Sequence, residues 1–158
     1  MGLEEIIIDE LEIDLPEDFS EKDVEKIDFR AKDAFRAKEF YQAMIKRAKA
    51  GILYVEIDLY YQAANSFDRA ACAAEKLQNK TQACLYELAG IYYSEIEDWE
   101  NTAFAYAKAA ECYIKDRNDP RKTRELLIRA ECFFKVAGKN HHRIRQYRNA
   151  KKLLARLT

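Results

Sequence analysis

Histidine supplies most acid–base and metal-ligand chemistry near neutral pH, and this chain has two, His141 and His142, side by side. No carboxylate follows them within a helical turn, and neither belongs to an E-x-x-H or H-x-x-x-H pair that would set two ligands on one helix face. No arginine stands five residues before either one, so the Arg-x-x-x-x-His arrangement of helical nucleases is missing too. Cys72, Cys84, Cys112 and Cys132 form no C-x-x-C pair and sit inside helical patterns, where they read as small buried thiols. The four glycines (Gly2, Gly51, Gly90, Gly138) are scattered and make no phosphate-binding loop. The many glutamates, lacking histidine partners or a paired motif, are most simply surface charge. The expectation is a chain that is no enzyme and carries no metal or cofactor.

Charge is the second kind of chemistry on offer. The net charge is −1, yet residues 1–26 hold eleven acids against two lysines, and residues 132–158 hold eight Lys or Arg and no acid. The stretch between holds seventeen of each sign. The basic set includes Arg143, Arg145, Arg148, Lys151, Lys152 and Arg156, beside an inward stripe of Ile144, Tyr147, Leu154 and Leu157. Such a helix could close a stack with a soluble outer face, bind the phosphates of nucleic acid, meet an anionic membrane surface, or receive the chain's own acidic arm. A sequence pI near 6.2 weighs against a nucleic-acid protein, and no known base-reading motif is present. No apolar run reaches the length of a membrane span, and unpaired cysteines fit a reducing, cytoplasmic setting.

The elements that must position these groups are helical. Only four glycines and two prolines punctuate 158 residues, one domain by length. Residues 1–19 read as an acidic arm rather than a helix, either flexible or adding a short strand to another element, because Leu11, Ile13 and Leu15 alternate and Pro16 follows. Residues 20–158 form a single helical domain. Ser20 with Asp23 resembles a helix start. From there an apolar face continues to about residue 57, as one bent helix or as two broken near Glu39–Tyr41. Asp58, Thr81 and Asp98 are the expected caps of the next three helices. Asp119-Pro120 starts another, which Gly138 ends, and Asn140 caps a last helix to the C-terminus.

Residues 50–79 recur as 89–118 without a gap, matching at eleven of thirty positions. A period near forty, with small and aromatic residues at fixed offsets, predicts stacked antiparallel helical hairpins. Gly51 and Tyr54, followed by Ala63, Phe67 and Ala70, resemble the signature of the tetratricopeptide repeat. Gly90, Tyr93, Thr102, Tyr106 and Ala109 repeat it with Thr for one Ala, and Ala130, Phe133, Tyr147 and Ala150 make a decayed third copy. The longer period and aromatic-rich helices look more like the soluble NSF attachment protein branch, whose members are adaptors laid along coiled-coil bundles. With about two and a half hairpins, the chain looks like a remote or truncated relative.

What the resemblance implies is a curved all-α stack whose first helices line a concave groove. Glu56, Glu87, Ser94, Glu95, Arg124, Glu131 and Lys135 would then face a partner. Ala48, Ile52, Glu87 and Ile91 stand where a chaperone-tail clamp would need Lys and Asn. The expected function is a small adaptor or scaffold holding a helical or extended partner segment, basic or amphipathic in view of the groove glutamates. Two alternatives are a nucleic-acid-binding accessory protein using the basic helix, and a self-assembling subunit joined through its open edge or acidic arm.

Overall fold

A computed structural model describes residues 2–157. The chain is all-helical: α1 (Leu3–Leu11), α2 (Glu21–Arg36), α3 (Phe40–Glu56), α4 (Tyr60–Lys76), α5 (Gln82–Glu95), α6 (Trp99–Asp116), α7 (Pro120–Val136), a 3₁₀ turn at His141–Arg143, and α8 (Arg145–Ala155). From α2 to α7 each helix packs on the next, so the stack is a run of hairpins, and α8 closes it by lying mainly on α6.

One turn device is used throughout. Lys38, Asp58, Gln78, Glu97, Asn118 and Gly138 all adopt positive φ between 48° and 72°, and they fall nineteen to twenty-one residues apart. At five of these turns the next residue's N–H donates to the carbonyl five residues earlier: Glu39 to Ala34, Leu59 to Tyr54, Asn79 to Ala74, Asp98 to Tyr93 and Lys139 to Phe134. This satisfies the last carbonyls of each helix and reverses the chain in three residues. Of the two alternatives for residues 21–57, the structure has two helices, with the turn at Lys38 just before the expected Glu39–Tyr41 break.

The predicted starts hold at Ser20, Asp98 and Asp119. Ser20 and Asp23 form a reciprocal capping box, and the Asp98 and Asp119 carboxylates accept from the Asn101 and Lys122 N–H groups at 3.2 and 3.0 Å. They fail elsewhere. Asp58 occupies the left-handed turn position, so Leu59 precedes α4 instead. Thr81 precedes α5, but its hydroxyl bonds Asn79 and Glu10 rather than a helix N–H. Asn140 caps only the 3₁₀ turn, through His142 N–H at 3.0 Å, and the last helix starts at Arg145.

Packing repeats with the sequence. A Cβ on Gly51 would sit 2.8 Å from the Phe67 ring, and one on Gly90 would sit 2.7 Å from the Tyr106 ring. Each glycine therefore lets the ring of the following helix lie against the backbone, closer than any side chain would permit. Trp99 stacks on Phe133 with ring centroids 5.5 Å apart, carrying the aromatic packing into the third copy.

Candidate interaction face

The acidic arm is the largest departure from expectation. Residues 3–11 form α1, and Ile7, Leu11 and Ile13 are buried. The alternation at Leu11, Ile13 and Leu15 belongs to the helix end and the segment after it: Glu12 takes a left-handed conformation, and the Ile13 N–H returns to the Ile8 carbonyl at 3.0 Å. Leu3, Ile7 and Leu11 recur every fourth residue with Ile6 and Ile8 flanking them, so α1 has one broad apolar face and carries Glu4, Glu5, Asp9 and Glu10 on the rest.

α1 lies on α5 and α3, the first helices of two successive hairpins. Helix α5, QACLYELAGIYYSE, is buried nearly all round: every residue from Ala83 to Gly90 is inaccessible. A helix apolar on every side must be covered on every side, and α1 is among its covers. Tyr92 near the end of α5 donates its hydroxyl to Glu4, while Thr81 at its start donates to Glu10 at 3.2 Å. The two contacts show that α1 runs antiparallel to α5. Arg117, in the turn before α7, completes the clasp with Nη2 at 3.1 and 3.0 Å from the two Glu10 oxygens and Nε donating to the Lys80 carbonyl.

Tyr92 is the centre of the face. Its ring stacks between Tyr60 and Phe67, with centroids 5.7 and 5.9 Å away. Burial, and after it the Glu4 carboxylate, holds the phenol proton on far above the ordinary range, so Tyr92 acts only as a donor here. The arm was expected either to stay flexible or to dock on the basic C-terminal helix. It docks instead where Tyr92, Thr81 and Arg117 receive it, because its apolar stripe needs an apolar bed that exposed α8 lacks.

The seven residues expected in the groove do not act as a set. Glu56 and Glu95 are exposed and Ser94 is half-buried, all near the ends of α3 and α5. Glu87 is 2% exposed and faces inward: Tyr113 donates to it at 2.7 Å and the Lys122 ammonium lies 2.7 Å away. Cys84 Sγ lies 3.4 Å from the same Tyr113 hydroxyl, and burial pushes both the phenol and the thiol up. This network ties α5, α6 and α7 together, so Glu87 is a structural carboxylate and no free specificity residue. Glu131 is occupied by Lys135 at 3.1 Å and by the Tyr147 hydroxyl at 3.3 Å. Arg124 and Lys135 are exposed on α7.

Arg143, Arg145, Arg148, Lys151, Lys152 and Arg156 are all exposed, as expected of a capping helix. Tyr147 and Ala150 are the buried residues of α8, and Ile144 and Leu154 pack partly against the core. Leu157, expected on the inward stripe, lies past the end of α8 and is 53% exposed. Among the described residues no cluster of three His, Cys, Asp or Glu could hold a metal ion, and no helix is long and apolar enough to cross a membrane. Compared with protein-family models, with curated proteins and with solved structures, the chain finds no match in any of the three.

Proposed function

We propose that the chain is a tetratricopeptide-like adaptor that binds an amphipathic helix of a partner protein on the α3/α5 face, in the place taken by its own α1. The observation that carries this is α1 itself: a short helix, joined to the stack by residues 12–20, seated by a buried Leu/Ile stripe and by carboxylates on Tyr92, Thr81 and Arg117. Helix-in-groove recognition uses the same i, i+4 apolar anchors.

The groove glutamates had suggested a basic ligand. Glu87 faces inward to Tyr113 and Lys122, and the helix that sits on the α3/α5 face is acidic, so the favoured partner segment is apolar and acidic, like LEEIIIDEL. Displacement of α1 would expose the face, and a partner helix would compete with it at high effective concentration. The four free thiols fit the proposed cytoplasmic setting.

The test is titration of a labelled peptide of residues 2–19 into the full chain carrying Ile7→Asp and Leu11→Asp. Saturable binding to that variant, with at least tenfold weaker binding to the unaltered chain, is the expected result. No binding to either, with the variant folded, would remove the proposal.

A further inference from the structure

Helices α2 and α4 both pack on α3 and barely on each other. The gap between them is a hollow of about 330 Å³, lined by Lys32, Phe35 and Arg36 of α2, Arg47 of α3, and Arg69 and Cys72 of α4. Four of these six residues are cations and none is an acid. The volume falls in the small-molecule range.

Arg47 is fixed in place before any ligand arrives. It is 7% exposed, and its Nη1 donates to the Asp28 carboxylate, which the Ser66 hydroxyl also meets at 3.5 Å. Its Nε and Nη2 have no partner among the described residues. No buried side-chain nitrogen or oxygen among those residues lacks one, so both groups open on the hollow. Lys32, Arg36 and Arg69 are exposed and enter no ion pair among the described residues. Arg69 donates Nε to Asn65 at 2.7 Å and leaves its terminal nitrogens without a hydrogen bond. Its neighbour Asp68 is turned to the Tyr93 hydroxyl at 3.4 Å. Carboxylates enter in the adjoining hollow, where Glu25 and Asp28 join the lining.

Packing does not ask for this charge. The repeat offset of thirty-nine carries Arg47 onto Tyr86 and Cys72 onto Glu111. The next gap along the stack, between α4 and α6, is lined by Glu75, Glu111 and Asp116 against a single cation, Lys115. The same scaffold therefore accepts a neutral phenol and a carboxylate where the first gap has a guanidinium and a thiol.

Guanidinium forks match phosphate oxygens two at a time, and several of them around one hollow match two phosphates better than one carboxylate. The Phe35 ring is 37% exposed and braced edge-on by Phe40, with centroids 5.2 Å apart. It offers an apolar wall on which a flat group can lie.

We infer that the hollow between α2, α3 and α4 binds a small molecule carrying two or more phosphates on a flat ring, with Lys32, Arg36, Arg47 and Arg69 on the phosphates and Phe35 against the ring. Binding there needs neither α1 nor its displacement.

The test uses the full chain with pyrophosphate and adenosine diphosphate as probes, read by calorimetry and by amide shifts in two-dimensional NMR. The nucleotide is expected to bind saturably at one site, at least tenfold more tightly than pyrophosphate, with the largest shifts in residues 28–36 and 65–72. Lys32→Gln/Arg36→Gln/Arg69→Gln should weaken both probes at least tenfold, and Phe35→Ala the nucleotide alone. Lys151→Gln/Lys152→Gln on α8 should change neither. No saturable binding at millimolar probe would overturn the site. Shifts centred on α8 would overturn it too, since they would mark a general attraction of anions to the basic cap. Equal affinity for the two probes, untouched by Phe35→Ala, would overturn the assigned ligand.

Discussion

Changing Ile7 to Asp should release α1 and leave the hairpin stack folded. Ile7 is fully buried, and full burial of such a side chain contributes roughly 1.5–3 kcal/mol. A charged aspartate cannot remain in that bed without a partner, so the helix leaves rather than burying it. At about 1.4 kcal/mol per tenfold, a loss near 3 kcal/mol lowers the docked-to-free ratio on the order of 100-fold. The free segment should also unwind, because nine residues fall short of the ~12–15 at which an isolated helix is even marginal. Hydrogen exchange followed by mass spectrometry reads both events. Amides of residues 3–11 are expected to exchange roughly 100-fold faster in the variant, while those of α4 and α6 keep their rates. If α4 and α6 lost protection together with α1, the helix would be an integral part of the core and the removable-ligand argument would collapse. Retained protection over residues 3–11 would show that Ile7 burial does not hold it.

Three further outcomes follow from the packing. Gly51→Ala puts a methyl group into the Phe67 ring and should cost roughly 1–3 kcal/mol by urea denaturation, with Phe67→Leu restoring part of the loss. Lys122→Met strands the buried Glu87 carboxylate beside Tyr113 and should cost about 3 kcal/mol; adding Glu87→Gln should recover most of it. Burial, then neighbouring His142, lowers the proton affinity of His141 below the ordinary value of 6.5, helped by Lys135 and Lys151 and opposed by Glu131. Its contribution to stability is therefore complete above that value and is lost as pH falls through the lowered folded one. Thermal melts from about pH 7.5 to about pH 5 should show a fall that His141→Gln flattens.

The hairpin rhythm was legible from residues 50–118 because glycine and aromatic positions recur there with a fixed offset, and the structure turns those positions into ring-on-backbone contacts. The break at Lys38 was legible only as one of two alternatives, because repeat spacing asks for it while no local residue marks it. Five of the six turn residues with positive φ between α2 and the 3₁₀ turn are Lys, Asp, Gln, Glu or Asn, and only Gly138 announces its conformation. These turns are set by the helices packing on either side, which outweighs the modest cost of a left-handed residue. The docking of α1 did leave a signal: from Ala83 to Tyr93 every residue of α5 but Glu87 is apolar, more than two neighbouring helices can cover. Conversely, the acidic character of residues 1–19 and the nearby Pro16 pointed to disorder, since composition does not reveal that Leu3, Ile7 and Leu11 have an apolar bed elsewhere in the chain. Glu87 misled for a related reason: its partners Tyr113 and Lys122 are 26 and 35 positions away, on the two following helices.

The most direct measurement is capture from a nuclease-treated lysate of the source cells, comparing the unaltered chain with the Ile7→Asp/Leu11→Asp chain and eluting with the peptide of residues 2–19. The account predicts a defined protein that survives nuclease, is held more strongly by the variant, and leaves with the peptide. Capture that vanishes with nuclease, or that is equal on both chains and indifferent to the peptide, would contradict it and move the functional surface to the basic residues of α8.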